Sequence, residues 1–505
     1  MTAESAYREL TEHKHRTAIL LSCRRLLSWD RDTHMPRGGA ELRAEQTALL
    51  MGLLHRRRTS PELGVLLDRA APLADGADPD APIAANLREA RRDFDRHTRV
   101  PAELIEERAR TFTLAHEAWV DARARNDFAA FRPWLEKNIT LAQRYAEALG
   151  YEDRLYDALL DEFEPGETTA HVAASFEPLR EALVDLLRRI RDADEVATDV
   201  LRGSFPAAAQ ASFATRVATE VGFDFEHGRL DTTVHPFCVG FAPSDVRITT
   251  RWDENCLVDG FFSVLHETGH GLYEQGLPAA DFGLPVGTAC SYGVHESQSR
   301  MWENFVGRSR GFWRHFYPLA QETFPDLVDV PADAFHRALN AVAPTLIRVD
   351  ADEVSYNLHI FLRFELEQEL LSGDVAVKDL PDAWNERFAA SFGARPPDDR
   401  QGCLQDVHWS SGLFGYFPTY TLGNVYAAQL FAQAEAELGD LDSAFARGEF
   451  VPLLRWFRER VHTHGRRYRP RRLIEAVTGA PPSHEPLLRH LETRYAAIYG
   501  LSTSA

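Results

Sequence analysis

The chain has 505 residues, of which 44% are hydrophobic and 26% are charged. This composition is that of an ordinary globular protein with a large core, and it excludes the collagen-like, low-complexity and disordered classes. The 76 acidic residues outnumber the 56 basic ones, which gives a net charge of −20. Electrostatic attraction to nucleic acid or to anionic lipid is therefore not expected for the chain as a whole.

The sequence contains no membrane-spanning pattern, since no stretch has the roughly 18 consecutive apolar residues that such a helix needs. The N-terminal residues carry too many charges for a signal peptide, so we expect a cytoplasmic protein with no membrane partner. The five cysteines are scattered and form no C-x-x-C pair. Neither a disulfide framework nor a cysteine zinc cluster is indicated.

The first half of the chain shows the hydrophobic periodicity of successive helices. Such patterns cover residues 7–28, 41–58, 86–97, 101–148 and 168–200. Residues 70–82 are rich in Ala, Asp, Pro and Gly and predict a loop.

The pattern changes after residue 223. Residues 231–241 contain few helix formers, and residues 245–252 alternate β-branched with polar side chains in the manner of a strand. Helical patterns return at Gly260 and dominate to the end, with interruptions at residues 276–293, 394–402 and 412–423. We therefore predict a mainly α fold with one small β-sheet.

Residues 266–270 have the sequence H-E-T-G-H and match the H-E-x-x-H pattern. On a helix, His266 and His270 lie one turn apart on the same face, so both imidazoles can bind one metal ion. Glu267 lies one step round the helix and reaches a water molecule beside the metal. The alternative is a helix with two ordinary histidines.

A metal site that hydrolyses its substrate needs a third protein ligand and one open position. Glu296, in the segment H-E-S-Q, supplies a carboxylate at the start of another helical pattern. Adjacent helical residues diverge by about 100°, so only one of His295 and Glu296 should face the metal. The alternative for Glu296 is a first-turn residue that complements the helix dipole.

The sequence resembles the carboxypeptidase Taq family of zinc-dependent metallocarboxypeptidases over almost its whole length. Besides H-E-x-x-H and H-E-S-Q, the motifs that carry the resemblance are W-D at 29–30 with M-P at 35–36 and R-A-E-Q at 43–46, H-P-F at 235–237, D-V-R-I-T at 245–249, I-R-V-D-A-D at 347–352 and G-C-L-Q-D-V-H-W at 402–409.

The resemblance implies a large helical fold that contains a cleft, a homodimer, and removal of single residues from peptide C-termini. It implies that His266, His270 and Glu296 bind one divalent metal ion, zinc first, and that Glu267 is the catalytic base. Cobalt and manganese can occupy the same ligand set.

Recognition of a free C-terminal carboxylate calls for an arginine fork. Arg348 and Arg247 are the candidates; the alternatives are pairing of Arg348 with Asp350 or Asp352 and a cross-strand pair for Arg247. Asp245 lies two residues from Arg247 on the same strand face and could orient its guanidinium.

Three further residues are candidates for contact with the substrate. His408 and Tyr420 could stabilise the oxyanion charge that develops during hydrolysis. His235 could lie beside the active site, or it could be a turn residue, since it precedes a proline.

We expect one peptidase domain over residues 1–505, in which residues 1–230 form a cleft wall, 231–430 the catalytic core and 431–505 C-terminal helices. The predicted function is metal-dependent carboxypeptidase activity on peptides, with broad specificity. The alternatives are a zinc endopeptidase or oligopeptidase and an inactive helical protein that binds peptides.

Overall fold

The computed structural model describes residues 1–502. In this part of the chain, α-helices dominate. Their bounds are Ala3–Thr33 (α1), Ala40–Arg58 (α2), Pro61–Ala70 (α3), Pro82–Arg99 (α4), Ala102–Arg125 (α5), Phe128–Leu149 (α6), Leu155–Phe163 (α7), Thr169–Arg191 (α8), Ala207–Val221 (α9), Leu257–Gly276 (α10), Tyr292–Arg300 (α11), Arg310–Thr323 (α12), Ala332–Leu339 (α13), Ser355–Ser372 (α14), Leu380–Phe392 (α15), Pro418–Leu438 (α16), Leu441–Ala446 (α17), Val451–Arg460 (α18), Pro470–Thr478 (α19) and Glu485–Tyr499 (α20).

One small sheet interrupts the helices between α9 and α10. Its strands are Gly228–Thr232 (β1), Cys238–Ala242 (β2) and Asp245–Thr250 (β3). β3 lies in the centre, parallel to β1 and antiparallel to β2. Val246 and Ile248 of β3 are fully buried, as expected for the apolar face of a sheet that packs on a helix.

The contacts within the described chain divide it into two compact units. The first unit comprises residues 1–98, 197–339 and 427–481, and the second comprises residues 99–196, 340–426 and those from 482 onward. The first unit therefore contains the sheet, the H-E-x-x-H segment and the H-E-S-Q segment.

In the first unit, α10 packs on β2 and β3 on one side and against α9 and α11 on others. Apolar side chains of α10 such as Phe261, Leu265 and Leu272 are buried. Burial of each such side chain contributes about 1.5–3 kcal/mol, so packing holds this helix in place. α1 packs against α2, α3 and β2.

In the second unit, α14 is the central helix and packs against α8, α15 and α6. Most of its side chains are buried around the whole helix, as expected for a helix in the core of a large protein. The buried side chains of this helix include His359, Arg363 and Glu367, which are ionisable and fully inaccessible.

The predicted mainly α fold with one small sheet is confirmed, and the helix predicted at residues 41–58 is α2. The interruption predicted at residues 412–423 is too long, because α16 begins at Pro418. Gly423 lies inside that helix and is buried, so tertiary packing overrides its low helix propensity. A π-helical segment, Met301–Val306, follows α11 directly, and no sequence pattern indicated it.

None of the helices in residues 1–502 combines the length and the hydropathy that crossing a bilayer requires. That the whole chain acts as a single peptidase domain stays a prediction.

Candidate metal centre

Helix α10 places the two histidines of the H-E-x-x-H segment on one face. Their ring centroids are 4.9 Å apart. The Glu296 Oε2 atom lies 3.8 Å from Nε2 of His266 and 3.5 Å from Nε2 of His270. Possible ligand atoms of these three residues all lie within 4.8 Å of one another, so the predicted metal ligands are brought together.

Glu296 reaches this position because α11 lies very close to α10. Helix α11 begins after Ser291, whose hydroxyl accepts a hydrogen bond from the Val294 amide at 3.0 Å. Glu296 is the fifth residue of α11 and is 7% exposed. The alternative of a first-turn residue that complements the helix dipole is therefore wrong.

The close approach depends on Gly269. A Cβ atom at this position would lie 2.5 Å from the Gln298 carbonyl oxygen and 2.6 Å from the Ser299 Cα atom. Both are backbone atoms, so the helices would have to separate. The glycine between Glu267 and His270 in the sequence thus sets the distance between the ligand-bearing helices.

Neighbouring groups orient the ligand side chains. Glu303 Oε2 lies 2.8 Å from Nδ1 of His266, which leaves Nε2 of that ring to face Glu296. Arg300 Nε donates to Glu296 Oε1 at 2.7 Å, and Ser299 Oγ donates to Glu296 Oε2 at 3.2 Å. Partners of this kind fix ring orientation and tautomer at metal sites.

The electrostatic surroundings differ between the two histidines. Burial lowers the pKa of His270 well below its usual value, and the nearby His295, His266 and Arg300 lower it further. Burial also opposes the charged form of His266, but Glu296 and Glu303 outweigh it and raise the pKa. A neutral imidazole is the form that binds a metal ion.

Glu267 is buried beside these ligands. Burial raises its pKa to about 7, and the charges of Glu296 and Glu303 act in the same direction against that of His266. Its Oε2 atom has no hydrogen-bond partner among the described residues. A buried carboxylate oxygen without a partner is costly, and a carboxyl group near neutrality is suited to proton exchange.

These residues fit a divalent metal ion. Two imidazole nitrogens and one carboxylate oxygen form a His₂Glu donor set, which is typical of catalytic zinc sites with an open position. The unpartnered Oε2 of Glu267 offers an acceptor for a water molecule at that position.

Arg247 and Asp245 of β3 pair with each other. Arg247 Nε and Nη2 donate to the Asp245 carboxylate at 2.9 and 3.0 Å, so Asp245 orients the guanidinium as predicted. The guanidinium carbon lies 4.9 Å from the ring centroid of Phe241 on β2, so Arg247 makes a cross-strand contact as well. The guanidinium also lies over the Trp29 ring, at 4.2 Å from its centroid. Trp29 belongs to the W-D motif, whose contact with β3 was not predicted.

His235 lies exposed in the loop between β1 and β2. The loop is fastened to β3 through Thr249, whose Oγ1 accepts from the Phe237 amide at 2.9 Å and donates to the Phe237 carbonyl at 3.0 Å. The Thr of the D-x-R-x-T segment thus holds the H-P-F segment.

Arg348, in the second unit, is 7% exposed. Its Nε donates to Asp406 at 2.9 Å and its Nη1 to the Tyr356 hydroxyl at 3.1 Å. The other oxygen of Asp406 accepts from Arg363 at 2.6 Å. The alternative that Arg348 pairs with Asp350 or Asp352 on a solvated helix is therefore wrong.

His408 and Tyr420 lie beside Arg348. The Tyr420 ring is 5.0 Å from the guanidinium carbon of Arg348, and the Tyr420 hydroxyl is 3.3 Å from Nε2 of His408. Burial, with the charge of Arg348, lowers the pKa of His408 to about 3. The neutral imidazole is therefore favoured, and in this form it can donate or accept a hydrogen bond.

The structure thus gathers the predicted residues into two groups. His266, Glu267, His270, Glu296, Arg247, Asp245 and His235 belong to the first unit, whereas Arg348, His408 and Tyr420 belong to the second. The sequence analysis did not anticipate the contact of Glu303 with His266 or that of Tyr356 with Arg348. Glu303 lies seven residues after Glu296, and that spacing, two helical turns, was the available signal.

Comparison with known proteins shows the family to which the chain is similar. The model of the carboxypeptidase Taq (M32) metallopeptidase family matches residues 9–495. "Thermostable carboxypeptidase 1" of Thermus thermophilus is 48% identical over 99% of this chain and 100% of its own length. "Carboxypeptidase 1" of Bacillus subtilis is 38% identical over 94% of this chain and 95% of its own length.

Solved structures show the same fold. The M32 carboxypeptidase from Deinococcus radiodurans R1 superposes with a TM-score of 0.95 at 43% identity, covering 98% of this chain and 100% of that one. A carboxypeptidase of Pyrococcus furiosus gives a TM-score of 0.93 at 34% identity, over 97% and 99% of the two chains. The chain belongs to the carboxypeptidase Taq (M32) family of metallopeptidases.

Proposed function

We propose that this protein is a metal-dependent carboxypeptidase that removes single residues from the C-termini of peptides with broad specificity. The observation that carries the proposal is the cluster of His266, His270 and Glu296 with the unpartnered, buried carboxylate of Glu267 beside it. Family membership gives the reaction class, and this cluster supplies the groups that such a reaction needs.

In this proposal His266, His270 and Glu296 hold one divalent metal ion. Zinc is the expected ion, and cobalt and manganese are the alternatives. A metal ion in such a site acidifies a water molecule and polarises the carbonyl group that is to be cleaved. Glu303 and Arg300 hold the ligands in place through the contacts described above.

Glu267 carries the proton transfers. Its buried carboxylate takes a proton from the attacking water and passes it to the amine of the departing residue. Without this second transfer the nitrogen would have to depart as an anion, which is a poor leaving group. Since Oε2 of Glu267 has no partner in the described chain, it can accept that proton without breaking an existing hydrogen bond.

His408 and Tyr420 are proposed to donate hydrogen bonds to developing oxyanion charge. His408 is neutral, because burial and Arg348 lower its pKa to about 3. The hydrogen bond to Tyr420 then orders the two side chains with respect to each other.

Arg348 and Arg247 are the proposed partners of the substrate's terminal carboxylate. Arg348 is already held by Asp406 and Tyr356, and Arg247 by Asp245. Guanidinium groups that are ordered before binding lose little side-chain entropy when a carboxylate arrives. His235, in the exposed loop, is proposed to contact the substrate.

The proposal is tested with three versions of one short peptide: unmodified, N-acetylated and C-amidated. We expect the acetylated peptide to be cleaved as fast as the unmodified one and the amidated peptide to lose most of its kcat/KM. Equal cleavage of the amidated peptide would favour a zinc endopeptidase or oligopeptidase. The homodimeric state and the cytoplasmic location stay predictions.

A further inference from the structure

The two histidine ligands are supported in different ways. His266 meets a carboxylate directly, since Glu303 Oε2 lies 2.8 Å from its Nδ1 atom. The Nδ1 atom of His270 instead lies 2.6 Å from Nδ1 of His295. The other nitrogen of the His295 ring, Nε2, lies 2.9 Å from Oε1 of Glu274.

The short distance between the two Nδ1 atoms allows only one proton between them. If Nε2 of His270 binds a metal ion, that atom must carry a lone pair, so the proton of His270 lies on Nδ1. Nδ1 of His295 must then be the acceptor. The proton of a neutral His295 consequently lies on Nε2 and is donated to Glu274.

The opposite arrangement shows why Glu274 matters. If His295 carried its proton on Nδ1, it would donate to His270 and leave the His270 proton on Nε2, where the metal ion should bind. A carboxylate that accepts from Nε2 of His295 favours the first arrangement, because a charged acceptor strengthens the hydrogen bond.

The fold makes a specific place for this carboxylate. A Cβ atom at Gly240 of β2 would lie 2.4 Å from Oε2 and 2.9 Å from Cδ of Glu274, so a larger residue at this position would displace the carboxylate. Nη1 of Arg25 donates to the Gly240 carbonyl at 2.9 Å.

The ring of His295 is also fixed by packing. It lies 4.5 Å from the ring of His270 and 5.4 Å from that of Tyr273, measured between centroids. Tyr273 is fully buried and its hydroxyl accepts from the Cys290 amide at 3.0 Å. The ring of His295 thus lies against two other rings, one of which is fully buried.

We propose that Glu274 and His295 are positioning residues for the metal site: together they hold His270 in the tautomer whose Nε2 atom is free to bind the ion. The inference rests on the metal site of the proposed function. It gives both residues of the His295–Glu296 pair a role, since Glu296 supplies a ligand and His295, about 100° round the helix, orients another.

The test measures Co²⁺ affinity of the metal-free protein by competition with a chelator. The variants are E274A, which removes the carboxylate, and H295F, which keeps an aromatic ring but removes the nitrogen that accepts from His270. We expect each to weaken Co²⁺ binding by roughly 10- to 100-fold and to change the visible absorption spectrum of the bound Co²⁺. E274Q, whose amide oxygen can accept the same hydrogen bond, should lose less affinity than E274A.

Glu220 offers a matched control, because it pairs with His315 in the same unit but contacts no candidate ligand. E220A should bind Co²⁺ as tightly as the unaltered protein. If Glu274 and His295 act as one relay, the double variant E274A/H295F should lose no more affinity than either single variant.

Unchanged Co²⁺ affinity in E274A and H295F, or additive losses in the double variant, would overturn the inference. Should E274A fail to fold, E274Q and H295F carry the test. A further variant, H270A, separates this failure from that of the proposed function. If H270A binds Co²⁺ as tightly as the unaltered protein, His270 is not a metal ligand and the proposed metal site is wrong. If H270A loses Co²⁺ affinity but E274A and H295F do not, the metal site stands and only the positioning role of Glu274 and His295 is rejected.

Discussion

Glu267 combines two properties that seldom occur together: its side chain is buried and one of its carboxylate oxygens has no partner in the described chain. Removing a carboxylate from water costs several kcal/mol. If this position had only a structural role, we would expect an apolar residue there, or a hydrogen-bond donor beside each carboxylate oxygen. The arrangement is understandable if the carboxylate exchanges a proton with a substrate or a water molecule.

Glu267→Gln tests that role. The amide keeps the size of the side chain but cannot take a proton, so we expect kcat to fall by about 10²–10⁴-fold with little change in bound metal. Turnover on a short peptide and metal content of the purified variant are the two measurements. Retention of full activity would mean that Glu267 is not the base, whereas absence of turnover in the unaltered protein would favour an inactive peptide-binding protein.

At the level of single residues, the sequence was sufficient to predict the candidate metal ligands. His266 and His270 lie one helical turn apart, and Glu296 belongs to a recognisable motif. The partner of Arg348 could not be predicted in the same way, since Asp406 lies 58 residues further along the chain. Only the fold brings these two side chains together.

At the level of elements, the distance between α10 and α11 decides whether three ligands meet. Gly269→Ala should therefore weaken metal binding as well as stability, because the new methyl group would meet backbone atoms of α11. We expect a loss of about 1–3 kcal/mol in the free energy of unfolding and a reduced Co²⁺ affinity, measured by urea denaturation and chelator competition.

Gly52→Ala is the matched control for that variant. Gly52 lies on α2, where a Cβ atom would meet only the Arg56 side chain at 3.6 Å. This change should raise stability by about 0.5–1 kcal/mol through helix propensity and leave metal binding unchanged. Equal behaviour of the two variants would contradict the role assigned to Gly269.

A second element-level feature is the buried carboxyl group of Glu367 on α14. It accepts hydrogen bonds from the Tyr156 hydroxyl at 2.6 Å, Trp409 Nε1 at 2.9 Å and the Gly415 amide at 3.0 Å. Burial nevertheless outweighs these bonds and raises its pKa from 4.5 to about 7. The folded state thus binds more protons than the unfolded state between these two values.

Stability should consequently decrease as pH rises from about 5 to about 8, with a contribution from this residue on the order of 2–3 kcal/mol. E367Q should remove that part of the pH dependence, which urea unfolding at several pH values would measure. E369Q, which alters a partly exposed residue of the same helix paired with Arg387, should keep it. An unaltered slope in E367Q would show that Glu367 is already ionised at low pH.

The type of each long element followed from periodicity, but the contacts between elements did not. The predicted strand at residues 245–252 appears as β3, because alternating side chains signal a sheet whatever its neighbours are. The parallel pairing of β1 with β3 and the π-helical segment after α11 depend on tertiary packing. No pattern of neighbouring residues in the sequence predicts such packing.

At the scale of the whole molecule, the net charge of −20 affects which peptides arrive fastest. A negative surface repels acidic peptides and attracts basic ones over distances of about a Debye length. We expect kcat/KM for a basic peptide to exceed that for an acidic one of the same C-terminal residue at low salt. This difference in kcat/KM should shrink at high salt. A difference that does not change with salt concentration would mean that the preference arises from contacts in the site instead.

We propose above that a metal ion held by His266, His270 and Glu296 drives removal of C-terminal residues. Mass-spectrometric mapping of the products from one short peptide, with metal-stripped and metal-restored enzyme, tests it most directly. We expect products shortened one residue at a time from the C-terminus, and only after metal is restored. Internal cleavage, or C-terminal trimming that persists without metal, would contradict it.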